Sequence, residues 1–257
     1  MTMVPHLFDR WGEIRQMVDA ADRVRVFLDF DGTLAPLCAR PEQVRLSDDT
    51  RQALERLMRN RQVSVAIVSG RRRGDLIGQM RLPRVQCWGL FGWERRDSCS
   101  LPPRARAELS RARVRLRAAL RGLAGVRVED KGLAVSVHVR GVPAAIARQA
   151  GRLVAATVAG SGRHLHVLPG SKVWDVVPRE VAGKGPVVRE AMRGARQPFL
   201  PVYVGNDMTD EPAFHELSGG ITVRVGAARA ARTKARYRLA NPDEVRRFIE
   251  QLEGELS

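Results

Sequence analysis

Acidic residues are in short supply in this chain: 28 Asp and Glu stand against 44 Lys and Arg, a formal charge of +16. That balance favours anionic partners in general, among them nucleic acid, acidic membrane and phosphorylated metabolites. Cysteine is scarcer still. Cys38, Cys87 and Cys99 are too few and too scattered for a disulfide framework or a zinc site. Aromatic residues make up 5% of the chain, and none interleaves with the arginine-rich stretch as base stacking on single strands requires. No apolar run is long enough to span a bilayer, and residues 1–23 have no signal-peptide core. Internal repeats and low-complexity tracts are also absent. The expectation is a cytoplasmic protein with no membrane partner. What remains is an ordinary globular composition, 44% apolar and 28% charged over 257 residues, enough for one large domain or two small ones.

The most informative stretch is Val26-Phe27-Leu28-Asp29-Phe30-Asp31-Gly32-Thr33-Leu34-Ala35-Pro36. Its apolar start reads as a buried strand. Side chains alternate along a strand, so Asp29 and Asp31 should point the same way near its C-terminal end. Open α/β sheets place their ligands at that end. Gly32 lets the chain turn sharply after the second carboxylate. Two neighbouring acids repel unless a cation or a proton lies between them. A turn capped by Asp29 and Asp31 is the plain alternative.

Strands at 63–68, 85–90, 202–204 and 221–225 alternate with helices at 8–21, 48–60, 75–80, 183–194 and 242–252. That order predicts parallel βαβ units wound by right-handed crossovers. Between them the pattern changes, from about Asp97. Pro102-Pro103 opens an arginine-rich helix to about Gly122, with an apolar stripe of Leu109, Ala112, Leu116, Ala119, Leu120 and Leu123. Strands at 126–129 and 133–139 follow, joined by Asp130-Lys131-Gly132 as a hairpin. Then come a helix at 143–158 and strands at 164–168 and 172–177, with Pro169-Gly170 as their turn. The fold class expected is α/β, with residues 1–97 and 179–257 as the core and 98–178 as an inserted α+β unit with an antiparallel sheet.

The stretch Asp29-x-Asp31-Gly32-Thr33-Leu34-x-Pro36 resembles motif I of the haloacid dehalogenase superfamily, in the form found in the trehalose-6-phosphate phosphatase family. The resemblance implies a Rossmann-like core with a cap of the C2B type, and a phosphatase. It makes Asp29 the nucleophile and Asp31 the general acid/base, with Mg²⁺ between them. The chemistry needs such parts. A carboxylate that attacks an anionic phosphate needs a cation to screen its approach. The second carboxylate must protonate the departing alkoxide and later take a proton from water.

Other stretches extend the likeness. Ser69-Gly70-Arg71 is similar to motif II, where a hydroxyl and backbone N–H groups hold phosphate oxygens. Lys184 occupies the place of motif III. Asn206-Asp207-Met208-Thr209-Asp210-Glu211 resembles the acidic motif IV, which adds Asn206, Asp207 and Asp210 to Asp29 and Asp31 as implied Mg²⁺ ligands. The segments 129–140 and 170–175 resemble those with which the family grips a disaccharide. They imply sugar contacts from Glu129, Lys131, His138, Arg140, Lys172 and Asp175, with Arg71 also meeting substrate. Read singly, each sugar candidate is an exposed strand residue or, for His138, a satisfied core histidine; Ser69-Gly70-Arg71 is a plain turn, and Thr209 or Asp210 is a helix cap.

Three positions depart from the family pattern. Asn206 stands where Asp is usual and brings no negative charge. Phe91 replaces His, and Asp175 replaces Glu, at two positions that face substrate in the family. The resemblance therefore implies a phosphorylated disaccharide substrate, trehalose 6-phosphate first, with a glucosyl- or mannosyl-glycerate phosphate as the alternative. A non-catalytic nucleic-acid binder is a reading of another class. Arg104, Arg106, Arg111, Arg113, Arg115 and Arg117 fall on more than one helical face, which suits a solvated surface better than a reading head. No nucleic-acid partner and a monomer are expected.

Overall fold

The structure is a computed structural model that describes residues 4–38, 41–95, 101–194, 198–226 and 233–256. The chain forms two compact units, Met1–Arg95 with Lys184–Ser257, and Arg96–Gly183. The second unit keeps five residues beyond the expected end at 178. The expected start at Asp97 and 98, like Cys99, lies outside the described residues.

The first unit holds strands β1 (Val24–Leu28), β2 (Val63–Val68) and β3 (Gln86–Trp88) and helices α1 (Trp11–Asp19), α2 (Asp48–Leu57) and α3 (Arg73–Met80). The second holds α4 (Pro103–Leu120), β4 (Arg127–Asp130), β5 (Val135–His138), α5 (Ala144–Ala159), β6 (Leu165–Gly170) and β7 (Val173–Pro178). The chain then returns to the first unit with α6 (Lys184–Arg193), β8 (Leu200–Gly205), α7 (Glu211–Glu216), β9 (Ile221–Val225), β10 (Tyr237–Leu239) and α8 (Pro242–Glu255).

In the first unit six parallel strands lie in the order β10-β9-β8-β1-β2-β3. The sheet is buried on both faces, which is why its strands read as continuous apolar runs. Val24, Val26 and Leu28 face a cluster built with Ile14 and Val18 of α1, Leu54 and Leu57 of α2, and Phe248 and Leu252 of α8. Phe27 points the other way, toward Ala66, Val68, Tyr203, Val188 of α6 and Phe214 of α7. Each such side chain contributes about 1.5–3 kcal/mol on burial. Helix starts follow local chemistry: Ser47 Oγ accepts from Thr50 N–H at 3.3 Å, and Asn241 Oδ1 from Glu244 N–H at 3.0 Å.

In the second unit four antiparallel strands lie in the order β4-β5-β7-β6. Alternation gives the sheet two unlike faces. Val135, Val137, Trp174 and Val176 share one, and Trp174 packs against Gly151 of α5. Glu129, Ser136, His138 and Asp175 share the other. On α4 the buried stripe is Ala105, Leu109, Ala112, Leu116 and Leu120; Ala119 is exposed and Leu123 half-buried. The expected turn at Pro169-Gly170 is corrected: both residues pair within the ladder, opposite Trp174 and Val173. The reversal falls at Ser171-Lys172, where Lys172 takes φ +64°. A proline is tolerated there because β6 is an edge strand. The third strand also ends early. It stops at Trp88, and Leu90 begins a 3₁₀ turn. No helix among the described residues is long and apolar enough to cross a membrane.

Candidate active site

The first carboxylate sits where β1 runs out. Asp29 N–H still donates to Val204 O of β8 at 2.9 Å, so the backbone is fixed by the sheet itself. The Asp29 side chain is buried. Its Oδ1 accepts from Lys184 Nζ at 2.6 Å, and its Oδ2 from Thr33 Oγ1 at 3.3 Å. Lys184 is the first residue of α6, and its Nζ also donates to Asp210 Oδ1 at 2.8 Å. A single ammonium thus lies between two carboxylates, with all three groups shielded from solvent.

Burial pushes the Asp29 carboxyl up, to about 7, against the pull of Lys184; Asp210 and Asp31 add to the rise. Burial works against the Lys184 charge too, but Asp210 and Asp29 outweigh it, and the amine is held above its ordinary value. Lys184 is therefore an ammonium.

Asp210, expected among the cation ligands, has its acceptor directions occupied by protein donors. Oδ1 accepts from Lys184 Nζ and from Tyr203 OH, each at 2.8 Å. Oδ2 accepts from the backbone N–H groups of Asn206 and Asp207 at 3.0 and 2.9 Å. A carboxylate has about four acceptor positions, and these four bonds fill them. Asp210 is the counter-ion that seats Lys184. Gly205 makes the fold-back possible: a Cβ there would lie 2.4 Å from Asp210 Cγ. Burial and then Asp210 raise the Tyr203 phenol well above its usual range, so it stays a donor.

Asn206 lies against motif I. A Cβ on Gly32, whose φ is +82°, would fall 2.1 Å from Asn206 Nδ2. Only glycine allows this approach. The Thr33 hydroxyl reaches Asp29 Oδ2 at 3.3 Å and Asn206 Oδ1 at 3.5 Å, which brings two hard oxygens to one point. Asp207 caps the 3₁₀ turn 208–210, its Oδ1 accepting from Met208 N–H at 2.7 Å. Among the described residues no three His, Cys, Asp or Glu side chains gather as a metal cluster. The donors here are carboxylates and one amide oxygen, a hard set that fits Mg²⁺, which completes its shell with water.

Ser69 is buried at the end of β2, its Oγ accepting from Arg71 N–H at 3.2 Å. That leaves its proton to donate. Arg71, expected to meet substrate, forks onto Asp31: Nε donates to Oδ2 at 2.6 Å and Nη2 to Oδ1 at 2.5 Å. Phe91 is buried, with its ring against Gly70. It supports the loop rather than lying open to solvent.

The second unit gathers four of the six sugar candidates. Glu129 Oε2 accepts from His138 Nε2 at 2.7 Å, and this bond above all holds the Glu129 carboxyl down at about 2. Asp175 Oδ1 accepts from Lys131 Nζ at 3.3 Å and from Ser136 Oγ across the β5–β7 ladder. Arg140 and Lys172 are exposed, at the end of the sheet where Val139 N–H donates to Lys172 O at 2.9 Å. Sequence reasoning missed Tyr203, Ser136 and Glu94. A polar residue inside an apolar strand was the available signal for the first two.

Comparison with known proteins follows the same lines. The trehalose-phosphatase family profile matches residues 27–243. An uncharacterized glycosyl hydrolase of Mycobacterium tuberculosis is 31% identical over 272 aligned positions, covering 100% of this chain and 20% of that protein. The chain thus spans about a fifth of that relative's length. The trehalose-6-phosphate phosphatase of Escherichia coli is 30% identical, covering 88% of this chain and 85% of the enzyme. Among solved structures, the C-terminal domain of a C. albicans trehalose-6-phosphate phosphatase superposes with TM-score 0.85 at 22% identity, over 99% of this chain and 100% of that one. Others with this fold include a haloacid dehalogenase-like hydrolase from Bacteroides thetaiotaomicron, with TM-score 0.60. The chain belongs to the trehalose-phosphatase family.

Proposed function

We propose that the protein is a phosphoric monoester hydrolase that releases phosphate from trehalose 6-phosphate through an aspartyl-phosphate on Asp29. The observation that carries the reading is the buried Asp29 at the end of β1, with Lys184 Nζ at 2.6 Å, in a chain of this family. An Asp29 oxygen attacks phosphorus, a new O–P bond forms and the ester O–P bond breaks. Asp31 gives its proton to the departing sugar oxygen. Water then attacks the acyl-phosphate, Asp31 takes its proton, and Asp29 is regenerated. Lys184 neutralises charge between nucleophile and phosphate, while Ser69 Oγ–H and Gly70 N–H hold phosphate oxygens. Mg²⁺, held by Asp29, Asp31 and Asn206 with Asp207 beside them, supplies further charge neutralisation when bound.

Hydrolysis of a panel containing trehalose 6-phosphate, glucosylglycerate phosphate and mannosylglycerate phosphate tests the substrate. Preference for a glycerate would move the assignment to the alternative sugar.

Glu129, Lys131, His138, Arg140, Lys172 and Asp175 are proposed to read the sugar, since core groups meet only phosphate and ester oxygen. Glu129→Ala should then lower kcat/KM on the disaccharide phosphate by about 30- to 1000-fold, or about 2–4 kcal/mol, because hydroxyl-binding groups are left unpaired. Turnover of a small aryl phosphate should hardly change. Equal losses on both would move Glu129 out of sugar recognition.

Asn206 permits a metal test independent of turnover. Asn206→Asp adds a charge at a proposed ligand and should tighten Mg²⁺ binding by about an order of magnitude in titration calorimetry. Unchanged or weaker affinity would remove Asn206 from the ligand set.

A further inference from the structure

The fork between Arg71 and Asp31 is supported by a second layer. The Arg71 side chain is 10% exposed and its guanidinium lies 5.3 Å from the centre of the Phe30 ring. Its backbone is pinned at both ends: N–H donates to Ser69 Oγ at 3.2 Å, and C=O accepts from Leu90 N–H at 2.7 Å. Leu90, Phe91 and Gly92 have φ of +45°, +59° and +93°. Such angles are costly for Leu and Phe and persist only where the surroundings impose them. Here Phe91 N–H donates to Ser69 O at 2.8 Å. Glu94 is buried and closes the arrangement: Oε1 accepts from Arg72 Nε at 2.6 Å, and Oε2 from Arg73 N–H, at the start of α3, at 2.8 Å. Residues 89–94 thus form a seat for residues 69–73.

We propose that Arg71 is a positioning residue that aims the Asp31 carboxylate at the leaving oxygen, and that Glu94 acts through the seat to hold Arg71. The proposal rests on the phosphatase reading of Asp31. The fork fixes the position and the plane of the Asp31 carboxyl, with one N–H on each oxygen, and so the direction in which a proton can be handed over. Lysine cannot replace this geometry, because an ammonium lacks the planar fork.

The test compares trehalose 6-phosphate, whose alkoxide needs a proton, with p-nitrophenyl phosphate, whose leaving group hardly does. In Arg71→Ala, kcat on the sugar phosphate should fall about 10- to 100-fold, the scale of a misplaced catalytic group. On the aryl phosphate kcat, and on both substrates KM, should stay within about threefold. Arg71→Lys should be as impaired as Arg71→Ala on the sugar phosphate. Glu94→Gln should show the same leaning at about three- to tenfold. Asp31→Asn should show it most strongly, and adding Arg71→Ala to Asp31→Asn should cost little more, since the two act as one unit. Thermal melts check folding, and Glu94→Gln carries the test if the Arg71 variants fail to fold. Equal kcat losses on both substrates, a rise in KM with kcat unchanged, rescue by lysine, or additive losses in the double variant would each overturn the proposal. A wild type that turns over neither substrate would instead defeat the phosphatase reading.

Discussion

Asp29→Asn should leave a folded protein with no measurable turnover of any phosphomonoester. The amide keeps the shape of the side chain but cannot form an acyl-phosphate that water then hydrolyses. Loss of a covalent nucleophile costs about 10⁴-fold or more where it has been measured. Folding should survive, because Lys184 keeps Asp210 at 2.8 Å and the Asp29 backbone keeps its bond to Val204. The variant also removes a carboxylate that burial already pushes up to about 7, so its stability need not suffer. The measurement is a quench of wild-type protein during turnover of ³²P-labelled substrate, followed by peptide mapping. Label should sit on Asp29 in the wild type and be absent from Asp29→Asn. Label on a serine or a histidine would remove the mechanism proposed here.

What the sequence disclosed depended on how local the controlling physics was. β1 and β2 were readable because a strand buried on both faces is mostly apolar, with Arg25 and Ser64 half-buried near the strand starts. The starts of α2 and α8, expected at 48 and 242, were readable because the caps at Ser47 and Asn241 are contacts over three residues. The Pro169-Gly170 turn was misread because turn chemistry was weighed without knowing that β6 would be an edge, where a missing N–H costs nothing. β10 escaped notice because Tyr237-Arg238-Leu239 is short and shows only a single alternation.

The candidate site divides along the same line. Asp29, Ser69 and Lys184 were legible as residue types at the ends of successive elements, and the fold brings Asp29 and Lys184 together. Asp210 was legible as an acid but not as a saturated one. Its role is set by Tyr203, by two backbone N–H groups and by an ammonium 26 positions earlier in the chain. Counting carboxylates cannot reveal how many of their acceptor positions are already taken. Glu94 escaped for a related reason: its importance lies in capping α3 from a distant loop, and Gly-Trp-Glu carries no local sign of that.

Lys184→Met should produce the largest combined loss of rate and stability. Methionine fills similar space without charge, so the variant isolates the ammonium. That ammonium is 2% exposed and stands between Asp29, 7% exposed, and Asp210, which is fully buried. Removing one partner from a buried ion pair costs about 3–5 kcal/mol, because the charge left behind is uncompensated. Turnover should fall by about 10²–10³-fold, the usual cost of removing one electrostatic stabiliser of a transition state. The dependence on pH separates this from a simple packing defect. A buried carboxyl raised above its unfolded value binds its proton more tightly in the folded state. Its contribution to stability is therefore full below its unfolded pKa and is lost as pH rises through its folded pKa. For Asp29 that window runs from 3.8 to about 7. In the wild type Lys184 limits the loss by pulling the Asp29 carboxyl down. Without it the Asp29 carboxyl should rise further, and the melting temperature in chelator should fall more steeply with pH across this window than in the wild type. Parallel curves for the two proteins would mean that Lys184 does not hold these carboxylates electrostatically, and the central pairing of the site would have to be redrawn.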